Sequence, residues 1–431
     1  MIRRLVVILL LVGGATLIEP LRVPTEGVIG PATLLSFGIL LLTADTLGQL
    51  AHDLRLPRLL GYLLAGLVLG PTLLAVVPVG AVGDLGMMKQ LAVGIIGLLA
   101  GVELRLPDLR QRSRSISAIL AAQAALVISL LVLGVLLLRN QLPFTVGLAG
   151  GALVAVAFLV ATTLTVNSPM VTLAVLTETR ARGPLAKTVL GVVLVADVLV
   201  IVLFTVTLAV AQGALGEGPG VAPAELFVRL WRDVFGSIVA GVVIGGVVSL
   251  YLRFVEREMV VFAVMVVFAT AFAAQALHFE LLLSLLVAGF LVENVAPVRA
   301  EPLVHALEAI AAPTFVVFFA LAGAELQLDV FATMWPVIVG LALLRAGGIW
   351  AGAALGSRVG GAEEPVRRYA WMGLVSQAGV ALGLATLVAQ RFPGVGASIQ
   401  AVVVGVIALN EMAGPVLFRQ ALQRAGEIEE P

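Results

Sequence analysis

Stretches of about 20 apolar residues follow one another along almost the whole chain. An α-helix rises about 1.5 Å per residue, so about 20 residues cross the hydrocarbon layer of a membrane. The apolar runs lie near residues 4–18, 33–51, 58–76, 85–102, 116–138, 143–176, 185–212, 233–252, 259–277, 280–296, 306–324, 330–357, 369–390 and 396–418. They predict an all-α integral membrane protein with 13–14 transmembrane helices, forming a single membrane domain over residues 1–431.

The composition excludes several classes of protein. Of 431 residues, 61% are hydrophobic and 12% are charged, whereas soluble domains have roughly 25% charged residues. The net charge is zero, which gives no support for a nucleic-acid partner. The chain has no cysteine, no P-loop and no recognisable nucleophile–base pair. We therefore predict that it is not an enzyme, has no cofactor and has no soluble regulatory domain.

The first run has two interpretations. Arg3 and Arg4 precede a short apolar stretch, as in a signal peptide, but no convincing cleavage site follows. We favour a retained helix. With the N-terminus inside, Lys and Arg fall mainly in the segments assigned to the cytoplasmic side. This predicts a multi-pass protein of the cell's inner (plasma) membrane with a cytoplasmic C-terminus.

One motif occurs twice. Residues 99–106 read LAGVELRL and residues 321–328 read LAGAELQL, and the two copies close the fourth and the eleventh runs. Because these runs are seven segments apart, an odd number, the copies have opposite orientations in the membrane. The pattern is typical of transporters built from inverted repeats.

The sixth and thirteenth runs, also seven segments apart, both contain polar interruptions. Residues 162–169 read TTLTVNSP, and residues 376–379 read SQAG. Pro169 has no amide hydrogen and disfavours helix in the residue before it. Lipid cannot satisfy the peptide groups that a break exposes, so broken helices lie against protein or a wet cavity. We expect two broken helices that cross near mid-membrane, with two ordinary kinks as the alternative.

Charged residues inside apolar runs are costly and usually functional. Asp197 lies in the middle of the seventh run, Arg345 in the twelfth and Glu411 in the last. A carboxylate there can hold either a proton or a small cation, or it can simply neutralise a positive charge. Arg345 stays charged, and it either pairs with Asp197 or balances helix ends. We interpret Glu411 as a structural, charge-balancing residue.

Oxygen ligands suit a hard cation. The candidate ion- and proton-binding residues are Asp197, Asn167, Ser168, Thr163 and Gln377, with Asp197 as the ligand of a transported monovalent cation. Arg345 and Glu411 are the charge-balancing residues of this predicted site.

Four segments together resemble the monovalent cation:proton antiporters, the sodium/hydrogen exchanger superfamily, over about residues 33–420. They are LPRLLGYLLAGLVLGP, LLAGVELRLPDLR, residues 167–204 and SQAGVALGLATLV. The resemblance assigns the family's ion-binding aspartate to Asp197 and its basic core residue to Arg345. The preceding residue is Ala196, whereas family members have Asp, Asn or, in the potassium-efflux branch, Gln there.

The resemblance implies a function and an architecture. It implies exchange of protons for Na⁺ or K⁺ by alternating access, with a role in pH homeostasis. One titratable carboxylate suggests one proton per cation, hence electroneutral exchange. The resemblance also implies a homodimer, with core helices at about 85–212 and 306–420 and dimerisation helices at about 33–76 and 233–296. Two alternatives stay open: a transport-dead membrane subunit or sensor, and a sodium-coupled organic-anion transporter of related fold.

Overall fold

The computed structural model describes residues 30–215, 223–255, 257–277, 279–296, 299–326, 329–377 and 379–428. Within these ranges the regular structure is helical, with no strand. The sixteen α-helices are α1 Pro31–Asp53, α2 Arg58–Leu69, α3 Val79–Asp84, α4 Gly86–Glu103, α5 Leu106–Leu137, α6 Gly150–Leu164, α7 Pro169–Thr179, α8 Pro184–Leu215, α9 Pro223–Phe254, α10 Met259–Leu277, α11 Leu281–Asn294, α12 Glu301–Ala324, α13 Asp329–Val359, α14 Glu364–Gly373, α15 Gly379–Arg391 and α16 Gly396–Ala425.

The helices follow the apolar runs of the sequence. In the described part of the chain, 10 candidate spans are long and apolar enough to cross a membrane, and one of them is the interrupted segment Gly150–Thr179. Three shorter apolar helices accompany them: Arg58–Leu69, Leu281–Asn294 and Val380–Arg391. Each run from residue 33 onwards coincides with a helix or a pair of half-helices, which confirms the all-α membrane fold. The first run lies outside the described residues.

Proline marks where several helices begin. Pro31, Pro169 and Pro184 are the first residues of α1, α7 and α8. The first amide of a helix has no acceptor within the helix, so a residue without N–H is tolerated there, and its fixed φ suits the turn. The sequence thereby sets the start of the helix that carries Asp197.

The described residues 30–103 and 237–326 form one compact unit. Within it, α2 and α12 cross at glycines: a Cβ on Gly66 would lie 2.0 Å from the Ala320 carbonyl oxygen, and one on Gly323 would lie 2.2 Å from that of Leu63. Small residues allow this approach of two backbones, which is a common means of helix association in membranes. Lys89 pairs with Glu325 at the second copy of the repeated motif.

The described residues 104–236 and 329–428 form a second compact unit. Within it, α5 packs against α13. On α13, Gly348 faces Val127, Gly352 faces Gln123 and Gly356 faces Ile119. As the number rises on one helix it falls on the other, so the two helices are antiparallel. The predicted division into core and dimerisation helices is a functional assignment and stays a prediction.

Candidate functional site

The first break separates α6 from α7 within the second unit. α6 ends at Leu164, residues 165–168 are not helical, and α7 begins at Pro169. The Thr163 hydroxyl donates to the Leu159 carbonyl at 2.8 Å. The Ser168 hydroxyl accepts from the Val171 amide at 3.2 Å, as an N-cap does. The polar stretch of the sequence is thus used to end one half-helix and to begin the next.

The second break separates α14 from α15 and lies against the first. α14 ends at Gly373, residues 374–377 are not helical, and α15 begins at Gly379. The Ser168 amide donates to the Ser376 carbonyl at 3.0 Å. Both interruptions predicted from the sequence are therefore present, and they meet at their unwound segments. We call this region, residues 164–168 with 374–377, the crossing.

Arg345 is fully buried on α13 and reaches the crossing. Its Nε donates to the Leu164 carbonyl at 2.6 Å, its Nη1 to Val375 at 2.6 Å and its Nη2 to Val166 at 2.8 Å. The C-terminal ends of half-helices carry partial negative charge and carbonyls without helical partners. One guanidinium therefore neutralises the ends of both α6 and α14.

Two buried amide side chains cap the crossing in a reciprocal way. Asn167 donates through Nδ2 to the Leu374 carbonyl of the second break. Gln377 donates through Nε2 to the Leu164 carbonyl of the first break at 2.9 Å. Each broken helix therefore supplies the side chain that satisfies a carbonyl of the other.

Asp197 lies on α8, half-buried and next to the buried Ala196. α8 packs against α6, α7 and α14, so the helix that carries Asp197 contacts half-helices of both breaks. At one such contact, a Cβ on Gly373 would lie 2.8 Å from Val189.

Glu411 is buried on α16, which faces the second break. One turn further, at Gly414, a Cβ would lie 2.0 Å from the Ser376 hydroxyl oxygen. Asn410 donates to the Gln377 side-chain oxygen at 2.8 Å. Residues three apart share a helix face, so Glu411 lies on the face of α16 that approaches the crossing.

Two further residues at this site, Gln123 and Asn410, were not predicted from the sequence. Gln123 on α5 donates to the Asn167 side-chain oxygen at 2.9 Å, and both side chains are buried. An isolated amide within an apolar run was the available signal, because polar groups inside a membrane are costly without partners. Among the described residues, no group of three or more His, Asp or Glu side chains is arranged to hold a metal ion.

Two broken helices that cross within an all-helical membrane bundle are typical of secondary transporters. The family described as sodium/hydrogen exchanger, transmembrane, matches residues 37–419. The chain belongs to this family, whose members are transporters and not enzymes.

Individual relatives are similar over shorter stretches. The Na⁺/H⁺ antiporter NhaP of Pseudomonas aeruginosa is 33% identical over 132 residues, which are 30% of this chain and 30% of that protein. An uncharacterized Na⁺/H⁺ exchanger of Mycobacterium tuberculosis is 36% identical over 115 residues, 26% of this chain and 20% of that protein. The chain is thus aligned with less than a third of either relative.

The fold extends over almost the whole of a solved transporter. The sodium proton antiporter MjNhaP1 from Methanocaldococcus jannaschii at pH 8 matches with a TM-score of 0.64 at 14% identity, over 92% of this chain and 97% of that one. A second structure of MjNhaP1, from an electron-microscopy map, matches with a TM-score of 0.69 at 15% identity, over 92% and 98%. The predicted family and fold are confirmed.

Proposed function

We propose that the chain exchanges protons for a monovalent cation, Na⁺ or K⁺, across the plasma membrane by alternating access, with Asp197 as the shared binding site. The observation that supports this most directly is the crossing itself. Its two negative helix ends are neutralised by Arg345, and the helix that carries Asp197 packs against half-helices of both breaks. Similar proteins are named as Na⁺/H⁺ antiporters, which points to the same chemistry.

The chemistry of one carboxylate explains the coupling. Asp197 carries a negative charge that either a proton or a bare monovalent cation cancels, but not both at once. In the half-buried setting of α8, the uncompensated anion is costly to move through the membrane. Exchange therefore requires that Asp197 hold either a proton or a cation each time the site changes from one side of the membrane to the other.

A single carboxylate that holds one ligand at a time also predicts electroneutral exchange. The residue before Asp197 is Ala196, which cannot take up a second proton. With Asp197 as the one titratable carboxylate among the proposed ligands, one cation moves in one direction for one proton in the other, and no net charge crosses. The rate should then be unchanged by an imposed membrane potential.

Further oxygen ligands come from the first and second breaks. On this proposal Asn167, Ser168, Thr163 and Gln377 complete the shell around the cation. An amide oxygen has two lone pairs, so those of Asn167 and Gln377, which already accept one hydrogen bond each, have one left. Hard monovalent cations prefer such neutral oxygens beside a carboxylate.

The experiment is reconstitution of the purified protein in liposomes that contain a pH-sensitive dye. A proton gradient is imposed, and Na⁺, K⁺ or Li⁺ is then added outside. We expect cation-evoked pH recovery that Asp197→Asn abolishes. The matched control is Asp45→Asn on α1, an exposed aspartate that accepts from Gln49 at 2.7 Å, which should leave exchange unchanged.

A folded wild type that gives no recovery with any cation between about pH 6 and 9 would contradict the proposal and leave a transport-dead subunit. Recovery that survives Asp197→Asn would contradict the role of Asp197. Uptake of an organic anion with Na⁺ has less support, because the positive charge of Arg345 is already turned to the negative ends of both broken helices.

A further inference from the structure

Two buried amides outside the predicted site, Gln123 and Asn410, each contact one amide of the crossing. Gln123 Nε2 donates to Asn167 Oδ1 at 2.9 Å, and Asn410 Nδ2 donates to Gln377 Oε1 at 2.8 Å. The four side chains are between 0% and 3% exposed. Water therefore does not compete for these contacts.

The contacts form two equivalent hydrogen-bond chains. Asn167 follows Leu164 by three residues, and Gln377 follows Leu374 by three residues. In one chain, Gln123 donates to Asn167, which donates to the Leu374 carbonyl. In the other, Asn410 donates to Gln377, which donates to the Leu164 carbonyl. The two breaks thus have the same arrangement. A crossing amide, Asn167 or Gln377, donates to a carbonyl of the other break, and a supporting amide, Gln123 or Asn410, donates to the crossing amide.

Each chain fixes the orientation of its crossing amide. A carbonyl oxygen only accepts, so the nitrogen of Asn167 or Gln377 has to face it. The oxygen of the same amide then faces the supporting nitrogen. If the supporting donor were lost, a buried oxygen would lose its partner, and the amide could rotate away from the helix end.

Sequence repetition relates Gln123 to Arg345. Arg345 follows Leu328, the last residue of the second LAG motif, at the same spacing as Gln123 follows Leu106, the last residue of the first. The helices that carry them, α5 and α13, pack in antiparallel directions, as equivalent helices of an inverted repeat do. At equivalent positions of the two repeats, the guanidinium of Arg345 thus contacts the helix ends and the neutral amide of Gln123 contacts Asn167.

We infer that Gln123 and Asn410 are positioning residues of the cation site: they hold Asn167 and Gln377 with the nitrogen on a helix end and the oxygen's second lone pair available to the cation. The inference rests on the proposed function, in which both crossing amides are cation ligands. It predicts that cation affinity depends on two residues that are not themselves ligands.

The test uses donor-deleting substitutions of similar volume, Gln123→Met and Asn410→Leu, in the full-length protein in detergent. The readout is the concentration of Na⁺, with K⁺ and Li⁺ in parallel, that gives half of the maximal rise in melting temperature. One hydrogen bond is worth about 1 kcal/mol, so we expect this concentration to rise about fivefold. Gln212→Met is the matched control: it removes another buried amide, on α8, and should leave the concentration unchanged.

A double-mutant cycle separates positioning from general damage. Because Gln123 acts through Asn167, Gln123→Met should have no further effect in an Asn167→Leu background. Asn410→Leu should likewise have no further effect in a Gln377→Met background. The inference would be overturned if the fold-changes of the two substitutions in this half-maximal cation concentration multiplied, as independent changes do. It would also be overturned if neither single variant changed that concentration.

This binding assay does not depend on transport. A wild type that binds a cation in detergent but exchanges none in liposomes would refute the proposed function while the cycle still decides the positioning role. A wild type whose melting temperature responds to none of the three cations would overturn the inference directly.

Discussion

Close packing of α5 against α13 gives a prediction whose sign is fixed by backbone geometry. A Cβ on Gly352 would lie 2.4 Å from Gln123 Cα, 2.8 Å from Gln123 N and 3.0 Å from the Ala122 carbonyl oxygen. All three atoms belong to the backbone, so no side-chain rotation relieves the overlap. Gly352→Ala therefore forces the two helices apart.

The magnitude follows from these distances. Carbon atoms in contact are normally about 3.5–4.0 Å apart, so the α5 backbone has to move by roughly 1 Å. Overpacking of this kind costs typically about 1–3 kcal/mol. Alanine in a helix gains about 1 kcal/mol over glycine, which partly hides the loss in a comparison with the wild type.

A second glycine on the same helix removes that ambiguity. Gly347 has open space around its Cβ position, with no atom within 4 Å. Gly347→Ala gains the same helix propensity without the overlap. The difference in unfolding free energy between the two variants is then the steric cost alone. We expect Gly352→Ala to be less stable than Gly347→Ala by about 1–3 kcal/mol.

Thermal unfolding in detergent, followed by tryptophan fluorescence from the 4 tryptophans, measures this difference. We expect Gly352→Ala to have a lower melting temperature than Gly347→Ala. The rise in melting temperature that a cation produces should also be smaller, because Gln123 moves with α5. If Gly352→Ala melted at or above the temperature of Gly347→Ala, the argument from close packing would be wrong.

Two further predictions concern charged groups of the second unit. Arg345→Lys keeps the charge but replaces the planar fork of donors by one compact ammonium, which cannot reproduce the geometry of three separate guanidinium nitrogens. Weakening these charged hydrogen bonds, worth roughly 1.5–3 kcal/mol each, should lower the melting temperature. An unchanged value would contradict the shared neutralisation of both helix ends. Glu427 accepts from the Leu185 and Ala186 amides at 2.7 and 2.9 Å, yet burial raises its pKa above 4.5, even though these amides and Arg112 act to lower it. A raised carboxyl pKa gives stability that is complete below the unfolded pKa and is lost as the pH rises through the folded one. The melting temperature of the wild type relative to Glu427→Gln should therefore fall as the pH rises from about 4, and a difference that is constant or grows would refute this sign.

The spans and the breaks were predictable from the sequence because they depend on local properties. Apolar length decides whether a helix can cross a membrane, and thirteen of the predicted runs correspond to helices in the described residues. Pro169 marks the first break through its missing amide hydrogen. The second break has no proline, and it was found only because the sequence repeat placed it seven segments after the first.

The partners of the buried polar groups were not predictable in the same way. The sequence left open whether Arg345 pairs with Asp197 or with helix ends, because both interpretations satisfy a buried cation. Its carbonyl partners, Leu164, Val166 and Val375, are backbone groups of two distant segments, and no side-chain pattern records them. The roles of Gln123 and Asn410 were not predictable for a related reason, since only the fold shows which oxygen each amide faces.

The partners of Arg345 bear on how one carboxylate can serve two ligands. If the guanidinium depended on Asp197 for its neutralisation, each protonation of Asp197 would leave a buried cation uncompensated, at a cost of several kcal/mol. Arg345 instead donates to three carbonyls at 2.6–2.8 Å. Backbone carbonyls do not titrate, so on the proposed mechanism these partners are the same in both protonation states of Asp197. On the proposed mechanism, the helix ends balance Arg345 permanently. A proton can then cancel the charge of Asp197 in one half of the cycle, and a cation can cancel it in the other.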